Sequence, residues 1–121
     1  KVKFLSQILG QVTFEVDGKL AIAKVKLNDL KSLNLDLDDT RDVIDLLMNI
    51  ETIDAAVLFR EDAPSEFKVS FRSRGTFKVN ELAQTLGGGG HAYAAGAYVK
   101  GPYAELKEKV LVGFSKLIKK N

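Results

Sequence analysis

The stretch LAQTLGGGGHAYAAGAYV, residues 82–99, decides how the rest of the sequence is interpreted. Leu82 and Leu86 stand at helical spacing, and four consecutive glycines follow at positions 87–90. Glycine loses more backbone entropy on folding than any other residue, so a packed domain keeps such a run where φ must be positive or where something approaches closely. One glycine would suffice to end the helix, so a C-cap does not explain the run. A flexible hinge is the alternative.

The residues after the glycines favour an anion site. His91 is the only histidine of the chain, and small residues occupy positions 94–97. Glycine amides carry no side chain and can point at phosphate oxygens, while an imidazole supplies one further donor. The P-loop pattern does not match, because no Gly-Lys-Ser/Thr follows the glycines. Taken alone, His91 is also explained as a capped or buried histidine without a ligand.

Upstream of the glycines, residues 67–74 alternate between apolar and polar side chains, which predicts a strand. One face carries Phe67, Val69, Phe71 and Ser73, and the other carries Lys68, Ser70, Arg72 and Arg74. A sheet-borne arginine presents a rigid fork that matches two phosphate oxygens. Arg72 and Arg74, together with the glycines and His91, therefore predict a site for a terminal phosphate or a short phosphodiester. For the two arginines alone, a solvated strand face is the alternative.

Further strands are predicted on both sides of this segment. Residues 53–60 are apolar without alternation, so we expect them at the centre of the sheet, and residues 61–65 form a turn-rich break. Asp17-Gly18 predicts a tight hairpin turn between strands at 12–16 and 20–27. The buried faces of these two strands are predicted as Val12, Phe14 and Val16, and as Ala21, Ala23, Val25 and Leu27. A strand of small residues follows at 93–99.

Helices are predicted from apolar side chains at helical spacing. The first covers residues 4–9 and ends at Gly10, and a short helical turn through Leu30 and Leu33 is capped by Asn28 or Asp29. The later helices are a longer one with Val43, Leu46, Leu47 and Ile50 on one stripe, one at 79–86, and a last one that begins after Pro102. Its apolar stripe consists of Tyr103, Leu106, Val110, Leu111, Phe114, Leu117 and Ile118.

These elements predict a single α/β domain. We expect a mixed sheet of about five strands, with helices packed on it and a β-hairpin near the N-terminus. Residues 1–10 are predicted to be the end of an interdomain linker or a terminal helix, and residues 11–121 the domain itself. The chain begins at Lys1 rather than at methionine, so we expect a fragment or a processed product.

The composition narrows the class of protein. The chain has 121 residues, of which 45% are hydrophobic and 28% charged, as in soluble globular domains. It has no cysteine, which excludes disulfides and thiol chemistry and fits a cytoplasmic location. No apolar run is long enough to cross a membrane, and no signal peptide is recognisable. A net charge of +2 is too small for a general nucleic-acid binder, so anion binding must depend on local placement.

The sequence contains no convincing catalytic centre. Asp36, Asp38 and Asp39 could suggest a metal site, but they lack the glycine and distal glutamate of a calcium loop. Carboxylates favoured at a helix N-terminus explain them better. His91 is the only histidine that could act as a base, and no serine lies in a G-x-S-x-G context. The residues therefore indicate a binding module rather than a complete enzyme.

The segments at 57–61, 69–75 and 79–83, followed by Gly-Gly-Gly-Gly-His-x-x-Ala-Ala-Gly at 87–96, resemble the C-terminal associated domain of the DHH phosphoesterases. The resemblance covers nearly the whole chain, and it is strongest to the nano-RNase type, which degrades very short oligoribonucleotides and removes phosphate from phosphoadenosine phosphate. It implies that the catalytic work belongs to a separate N-terminal domain, which holds manganese with aspartates and an Asp-His-His motif. That motif does not occur in this chain.

The resemblance also implies roles for particular residues. The substrate-binding positions carried over are Arg72, Ser73, Arg74, Gly88, Gly89, Gly90 and His91. Arg72 and Ser73 would contact phosphate, Gly89 and Gly90 would donate amides, and His91 would contact the substrate phosphate. Arg74 and Arg60 match the pattern more loosely. The resemblance implies no catalytic or metal-binding residue in this chain.

The predicted function is therefore the substrate-binding half of a two-domain, manganese-dependent phosphoesterase. We expect short RNA or nucleotide phosphates and the N-terminal DHH domain as partners, with a second copy of the chain as a further candidate and no membrane. The chain alone is expected to be inactive. The alternatives are a non-catalytic nucleic-acid-binding or dimerisation module, such as the C-terminal domain of an alanyl-tRNA synthetase, and the equivalent domain of a RecJ-type single-strand exonuclease.

Overall fold

A computed structural model describes residues 2–32, 37–75 and 77–120. In this part of the chain, one sheet is built from strands β1 (Thr13–Glu15), β2 (Leu20–Val25), β3 (Ala55–Ala63), β4 (Glu66–Ser73), β5 (Gly89–His91) and β6 (Ala94–Lys100). The helices are α1 (Val2–Leu9), α2 (Leu27–Ser32), α3 (Leu37–Leu47), α4 (Asn80–Thr85) and α5 (Tyr103–Lys120). The strand order is β1-β2-β3-β4-β6-β5. Strands β2 and β3 run parallel and the other neighbours antiparallel, so the sheet is mixed.

The predicted fold class, an α/β domain with a mixed sheet and an N-terminal hairpin, is confirmed. The sheet has one strand more than the five expected, because the glycine run contributes the short edge strand β5 within the described residues. A strand of sequence Gly-Gly-His has no apolar alternation, and for that reason the sequence pattern did not reveal it.

Two apolar clusters lie on opposite faces of the sheet. On one face, alternate residues of β2, β3 and β4 pack against α4 and α5, with Phe59, Phe71 and Phe114 fully buried. On the other face, α1 and α3 pack onto β2 and β3. The first helix belongs to this second cluster, since Phe4 and Ile8 are 1% and 0% exposed. The central strand β3 is therefore covered on both faces, as its unbroken apolar sequence predicted.

The first hairpin has the predicted turn, but its strands differ from the prediction. Asp17 and Gly18 both have positive φ, at 57° and 76°, and the Lys19 amide donates to the Val16 carbonyl. The predicted burial of Phe14 is wrong, because this side chain on the edge strand is 52% exposed. Strand β2 ends at Val25 rather than at residue 27, since Lys26 begins the hydrogen bonding of α2.

The start of the second helix also differs from the prediction. Helix α2 begins after Lys26, whose carbonyl accepts the amides of Asp29 and Leu30, so neither predicted cap residue stands at the cap position. The Asp29 carboxylate instead accepts from the Lys26 amide at 3.3 Å and from Gln7 Nε2 at 2.9 Å. The predicted Leu33 contact and Asp36 lie outside the described residues.

Helix α3 buries a different stripe from the one predicted. Val43 and Leu47 are buried as expected, and Ile44, 1% exposed, joins them. Leu46 is 40% exposed, and Ile50 follows the end of the helix. The reason is that α3 presents adjacent residues 43 and 44 to the sheet, which rotates residue 46 toward solvent.

The remaining elements agree with the sequence apart from one turn. Strand β3 continues through the predicted break as far as Ala63, so the connection to β4 consists of Pro64 and Ser65 alone. Helix α5 buries Leu106, Val110, Phe114 and Leu117 on one stripe, as predicted. The last strand, β6, begins at Ala94, one residue after the predicted start.

Candidate functional site

A cleft of about 500 Å³ lies on the sheet face that carries α1 and α3. It exists because the apolar cluster on this face contains no residue of β4, β5 or β6, so these strands present an open floor beside α3. We call it the sheet-face cleft. It is lined by Thr40, Arg41, Ile44, Leu58, Arg60, Lys68, Ser70, Arg72, Gly89, Gly90, His91, Ala94, Ala95, Gly96 and Tyr98.

Strand register arranges the floor of the cleft in three cross-strand rows. Side chains at paired positions of neighbouring strands lie side by side on one face. From β3 toward the edge strand, the rows read Ala56–Arg72–Ala94–His91, Leu58–Ser70–Gly96–Gly89 and Arg60–Lys68–Tyr98. Cationic side chains thus occupy the two outer rows, and the middle row consists of small or apolar residues.

The cleft is strongly cationic. Arg41, Arg60, Lys68 and Arg72 line it together with His91, and no carboxylate lines it among the described residues. This concentration arises from placement, since the whole chain carries a net charge of only +2. A concave surface lined by one sign of charge raises the local concentration of oppositely charged ligands. The cleft is therefore suited to anions.

Arg72 is the cation of the first row that remains open to a ligand. Its Nη1 donates to the carbonyl of Phe71 at 3.2 Å, and it has no carboxylate partner in the described ranges. A guanidinium has five N–H donors in a fixed fork, so most of them stay unused. Since Arg72 and His91 lie in the same row, one phosphate could contact both side chains.

Arg60, by contrast, has an acidic partner. Its Nε donates to Asp62 Oδ1 at 2.6 Å and its Nη2 to Oδ2 at 2.9 Å. The hydrogen bond with Asp62 raises the pKa of Arg60 above its usual value, while burial opposes this rise and the charges of Asp62 and Tyr98 add to it. The bidentate pair fixes the guanidinium at the β3 end of the third row.

Gly87 and Gly88 serve the fold and lie outside the cleft. Gly87, with φ +82°, follows α4, and its amide donates to Gln84 while the amide of Gly88 donates to Ala83 at 2.8 Å. These bonds form a Schellman motif. Gly88 lies against the last strand, where a Cβ would be 2.2 Å from the Gly96 carbonyl oxygen. Gly88 does not line the cleft.

The other two glycines line the cleft, and only one of them is required by the fold. Gly90 has φ +138°, and a Cβ there would lie 2.8 Å from Ala95 Cα. Gly89 has no such positive φ, and nothing lies within 4 Å of the position that its Cβ would occupy. It is on the cleft side of β5, opposite Gly96. No structural constraint therefore explains a glycine at 89.

Two further residues predicted at the site make contacts outside the cleft. The Ser73 hydroxyl donates to the Phe77 carbonyl at 2.5 Å, on the face of the sheet away from the cleft. Arg74 Nε donates to the Ile53 carbonyl at 2.7 Å, and its Nη2 donates to the Ile50 carbonyl. Both side chains thus hold loop backbone. Of the predicted set, the structure brings Arg72, Gly89, Gly90 and His91 together in the cleft.

Sequence reasoning did not single out several cleft residues. Lys68 and Ser70 share the strand face of Arg72, so the alternation of β4 already placed them there. Tyr98 and Gly96 come from β6 by register, and Arg41 comes from α3. Nothing local in the sequence marks Arg41 as a neighbour of β4, because only the packing of α3 on the sheet brings them together.

Two further observations concern metals and membranes. No group of three or more His, Cys, Asp or Glu side chains that could hold a metal ion occurs in ranges 2–32, 37–75 and 77–120. The residues near the cleft therefore do not fit a two-metal centre within this part of the chain.

None of the helices described for this protein combines the length and apolar character of a transmembrane span.

Fold and cleft together define a small α/β domain with a cationic cleft, to which the glycine-containing edge strand β5, its neighbour β6 and the arginine-bearing strand β4 all contribute. Residues 17–120 match the DHHA1 domain. The chain belongs to the DHHA1 domain family, which confirms the resemblance drawn from its motifs. It is also 33% identical over 99 residues to the bifunctional oligoribonuclease and PAP phosphatase NrnA of Thermus thermophilus. That match covers 82% of this chain and 29% of the relative, so the chain spans less than a third of it.

Solved structures share the fold. An exopolyphosphatase-related protein from Bacteroides fragilis superposes with a TM-score of 0.85 at 24% identity, over 98% of this chain and 36% of that one. The C-Ala domain of Aquifex aeolicus alanyl-tRNA synthetase superposes with a TM-score of 0.53 at 14% identity, over 76% of this chain and 89% of that domain. At these identities the likeness concerns the fold alone.

Proposed function

We propose that this chain is the substrate-binding domain of a DHH-type phosphoesterase that acts on short oligoribonucleotides or related phosphorylated nucleotides. Membership of the DHHA1 family and the similarity to an oligoribonuclease and PAP phosphatase support this assignment. The observation that carries it is the row that contains Arg72 and His91, with Gly89 in the adjacent row, in a cationic cleft without a lining carboxylate in the described residues.

Arg72, His91 and Gly89 have distinct tasks. Arg72 binds two phosphate oxygens through its fork, which no carboxylate of the described residues occupies. His91, an exposed residue on the edge strand, donates a further hydrogen bond to the same phosphate. Gly89 lets the phosphate approach the backbone of β5, because no side chain projects from that position. The phosphate end of the nucleotide is thereby fixed in position.

The reaction itself requires groups that this part of the chain does not bring together. We propose that a separate N-terminal DHH domain supplies them, with manganese that would activate water there. This chain then contributes orientation and charge, which account for a large share of the catalysis of phosphate-ester cleavage. The chain alone should not hydrolyse a diribonucleotide even in the presence of manganese. Turnover by the pure chain would contradict this division of tasks.

Two alternatives use the same fold differently. A domain similar to the C-terminal domain of alanyl-tRNA synthetase would bind tRNA or dimerise, and the domain of a RecJ-type exonuclease would bind single-stranded DNA. Neither explains why cations gather in a cleft of about 500 Å³. A long nucleic acid is better served by an extended basic stripe. We therefore favour a short phosphorylated ligand.

Binding of a dinucleotide with and without its terminal phosphate tests the proposal. In an NMR titration, 5′-phosphorylated diadenylate should shift the amide signals of Gly89 to His91 and of Arg72, and unphosphorylated diadenylate should bind at least tenfold more weakly. Arg72→Met should abolish that difference. Lys109→Met, which removes the same charge from the exposed side of α5, is the matched control and should bind as the unaltered chain does.

The alternatives predict other outcomes for the same titration. Signal changes confined to α5, or equal binding of the two dinucleotides, would refute a phosphate site in the cleft. Tight binding of tRNA with no response to the dinucleotides would favour the synthetase-type module. Sedimentation of the unaltered chain at the mass of a dimer would favour a dimerisation module only if the cleft residues were protected in that dimer.

A further inference from the structure

The proposed phosphate site at Arg72, His91 and Gly89 leaves a second group of residues in the sheet-face cleft without a role. It is the row Arg60–Lys68–Tyr98, at the other end of the floor. Lys68 Nζ lies 4.4 Å from the centroid of the Tyr98 ring, and Lys68 has no carboxylate partner in the described part of the chain. Tyr98 is 74% exposed, the most open of the large apolar side chains in that part. Without a ligand, most of this aromatic surface faces water.

The absence of a side chain at Gly96 makes room for the Lys68 side chain above the sheet. Gly96 lies beside it on β6, and a Cβ at Gly96 would be 2.9 Å from Lys68 Nζ and 3.2 Å from Cε. The glycine therefore leaves the space in which the ammonium group lies across the strand. Arg60 at the end of the row is fixed by its bidentate contacts with Asp62. The row thus presents the Arg60 guanidinium held by Asp62, the Lys68 ammonium beside the Tyr98 ring, and the exposed Tyr98 ring itself.

The first and third rows lie at opposite ends of the floor. Lys68 and Arg72 are four residues apart on β4 and on the same face, which places their Cα atoms roughly 13 Å apart. Between them, Ser70, Gly96 and Gly89 make a floor with little side-chain volume. A ligand that fills the cleft therefore contacts Arg72 and His91 at one end and Tyr98 at the other, and it crosses small residues and the Lys68 ammonium above Gly96 in between.

We propose that Lys68 and Tyr98 form a second nucleotide subsite, which selects a ligand of at least two nucleotides over a mononucleotide. This inference rests on the proposed function. The terminal phosphate lies at Arg72 and His91, and the chain of the ligand crosses the small floor. The second base then stacks on the Tyr98 ring, and Lys68 neutralises the phosphodiester beside it. Stacking on an aromatic side chain suits any base, so this subsite recognises length rather than sequence.

Comparison of 5′-phosphorylated diadenylate with adenosine monophosphate, by NMR titration of the chain and its variants, tests this subsite. Tyr98→Ala should weaken binding of the dinucleotide between about fivefold and a hundredfold, the range found for removal of a stacking aromatic. Tyr98→Phe should restore it. Lys68→Met should also weaken the dinucleotide severalfold. Binding of the monophosphate should change less than twofold in all three variants.

Two matched controls separate this subsite from general effects. Tyr93→Ala removes another exposed tyrosine, which does not line the cleft, and should leave both ligands unaffected. Arg72→Met should weaken both ligands alike. Unchanged dinucleotide binding in Tyr98→Ala, or equal weakening of both ligands in Tyr98→Ala and Lys68→Met, would overturn the second subsite and leave the phosphate site intact. Failure of the unaltered chain to bind either ligand would overturn both proposals.

Discussion

Substitution of two adjacent glycines by alanine should separate folding from binding. Gly88→Ala should destabilise the domain, and Gly89→Ala should leave it folded but impair the cleft. Gly88 packs against β6, whereas Gly89 lines the sheet-face cleft with open space at its Cβ position. The two variants add the same methyl group to neighbouring positions, so each serves as the control for the other.

The expected magnitudes follow from the geometry. A Cβ at 88 would lie 2.2 Å from the Gly96 oxygen and 2.6 Å from Ala97 Cβ, so β5 must move away from β6. Such overpacking costs about 1–3 kcal/mol of the free energy of unfolding. Gly89 has no positive φ and no such contact, and alanine there should stabilise the domain by about 0.4–1 kcal/mol by restricting the unfolded chain.

The binding effect of Gly89→Ala should oppose its effect on stability. Its methyl group would stand where we place the phosphate, and loss of one hydrogen bond to a charged group costs about 1.5–3 kcal/mol. Affinity for 5′-phosphorylated diadenylate should therefore fall at least about tenfold. Urea unfolding measures the stabilities, and titration calorimetry or NMR measures the affinities. Unimpaired binding by Gly89→Ala, or destabilisation as large as that of Gly88→Ala, would refute this explanation of the glycine.

Two further substitutions test the packing. Ile8→Ala should lower the free energy of unfolding by about 2–5 kcal/mol, because the Ile8 side chain of α1 is completely buried. A negligible change in urea unfolding would contradict the packing of α1 as part of the domain core. Burial, and to a smaller extent the charge of Glu15, raises the pKa of Tyr103 above 10.0 in the folded state. The stability that this phenol contributes is therefore present below pH 10 and is lost as the pH rises through the folded-state pKa. Tyr103→Phe should therefore lose less stability than the unaltered chain between about pH 8 and pH 11 in urea unfolding.

Much of the fold follows from patterns of side chains that are local in sequence. The apolar run of β3, the alternation of β4 and the spacing in α5 each predicted an element and its buried face. The predictions were wrong where tertiary packing decides whether a side chain is buried. Phe14 is exposed on the edge strand β1, and Leu46 is exposed because α3 contacts the sheet through Val43 and Ile44. Such choices depend on neighbours that the local sequence does not contain.

The candidate site was predictable only in part, for the same reason. Gly89, Gly90 and His91 belong to one contiguous motif and Arg72 to the strand before it, and the structure brings all four into one cleft. Arg74 shares the strand face of Arg72, but its position at the strand end lets it reach the carbonyls of residues 50 and 53. Tyr98 became part of the site through pairing of β4 with β6. Alternation along one strand predicts which face of the sheet a side chain occupies. Which residues of other strands lie next to it depends on the pairing register, which the local sequence does not show.

The glycine run combines requirements of folding with a requirement of binding. Gly87 ends a helix, and Gly88 and Gly90 allow close contact with β6. These constraints place β5 against β6 so closely that Gly89 can lie on the cleft side, opposite another glycine. A longer side chain at 89 would be compatible with the fold and would fill the middle of the cleft. We infer that the structural glycines bring the edge strand close to a ligand, and that the unconstrained glycine leaves room for it.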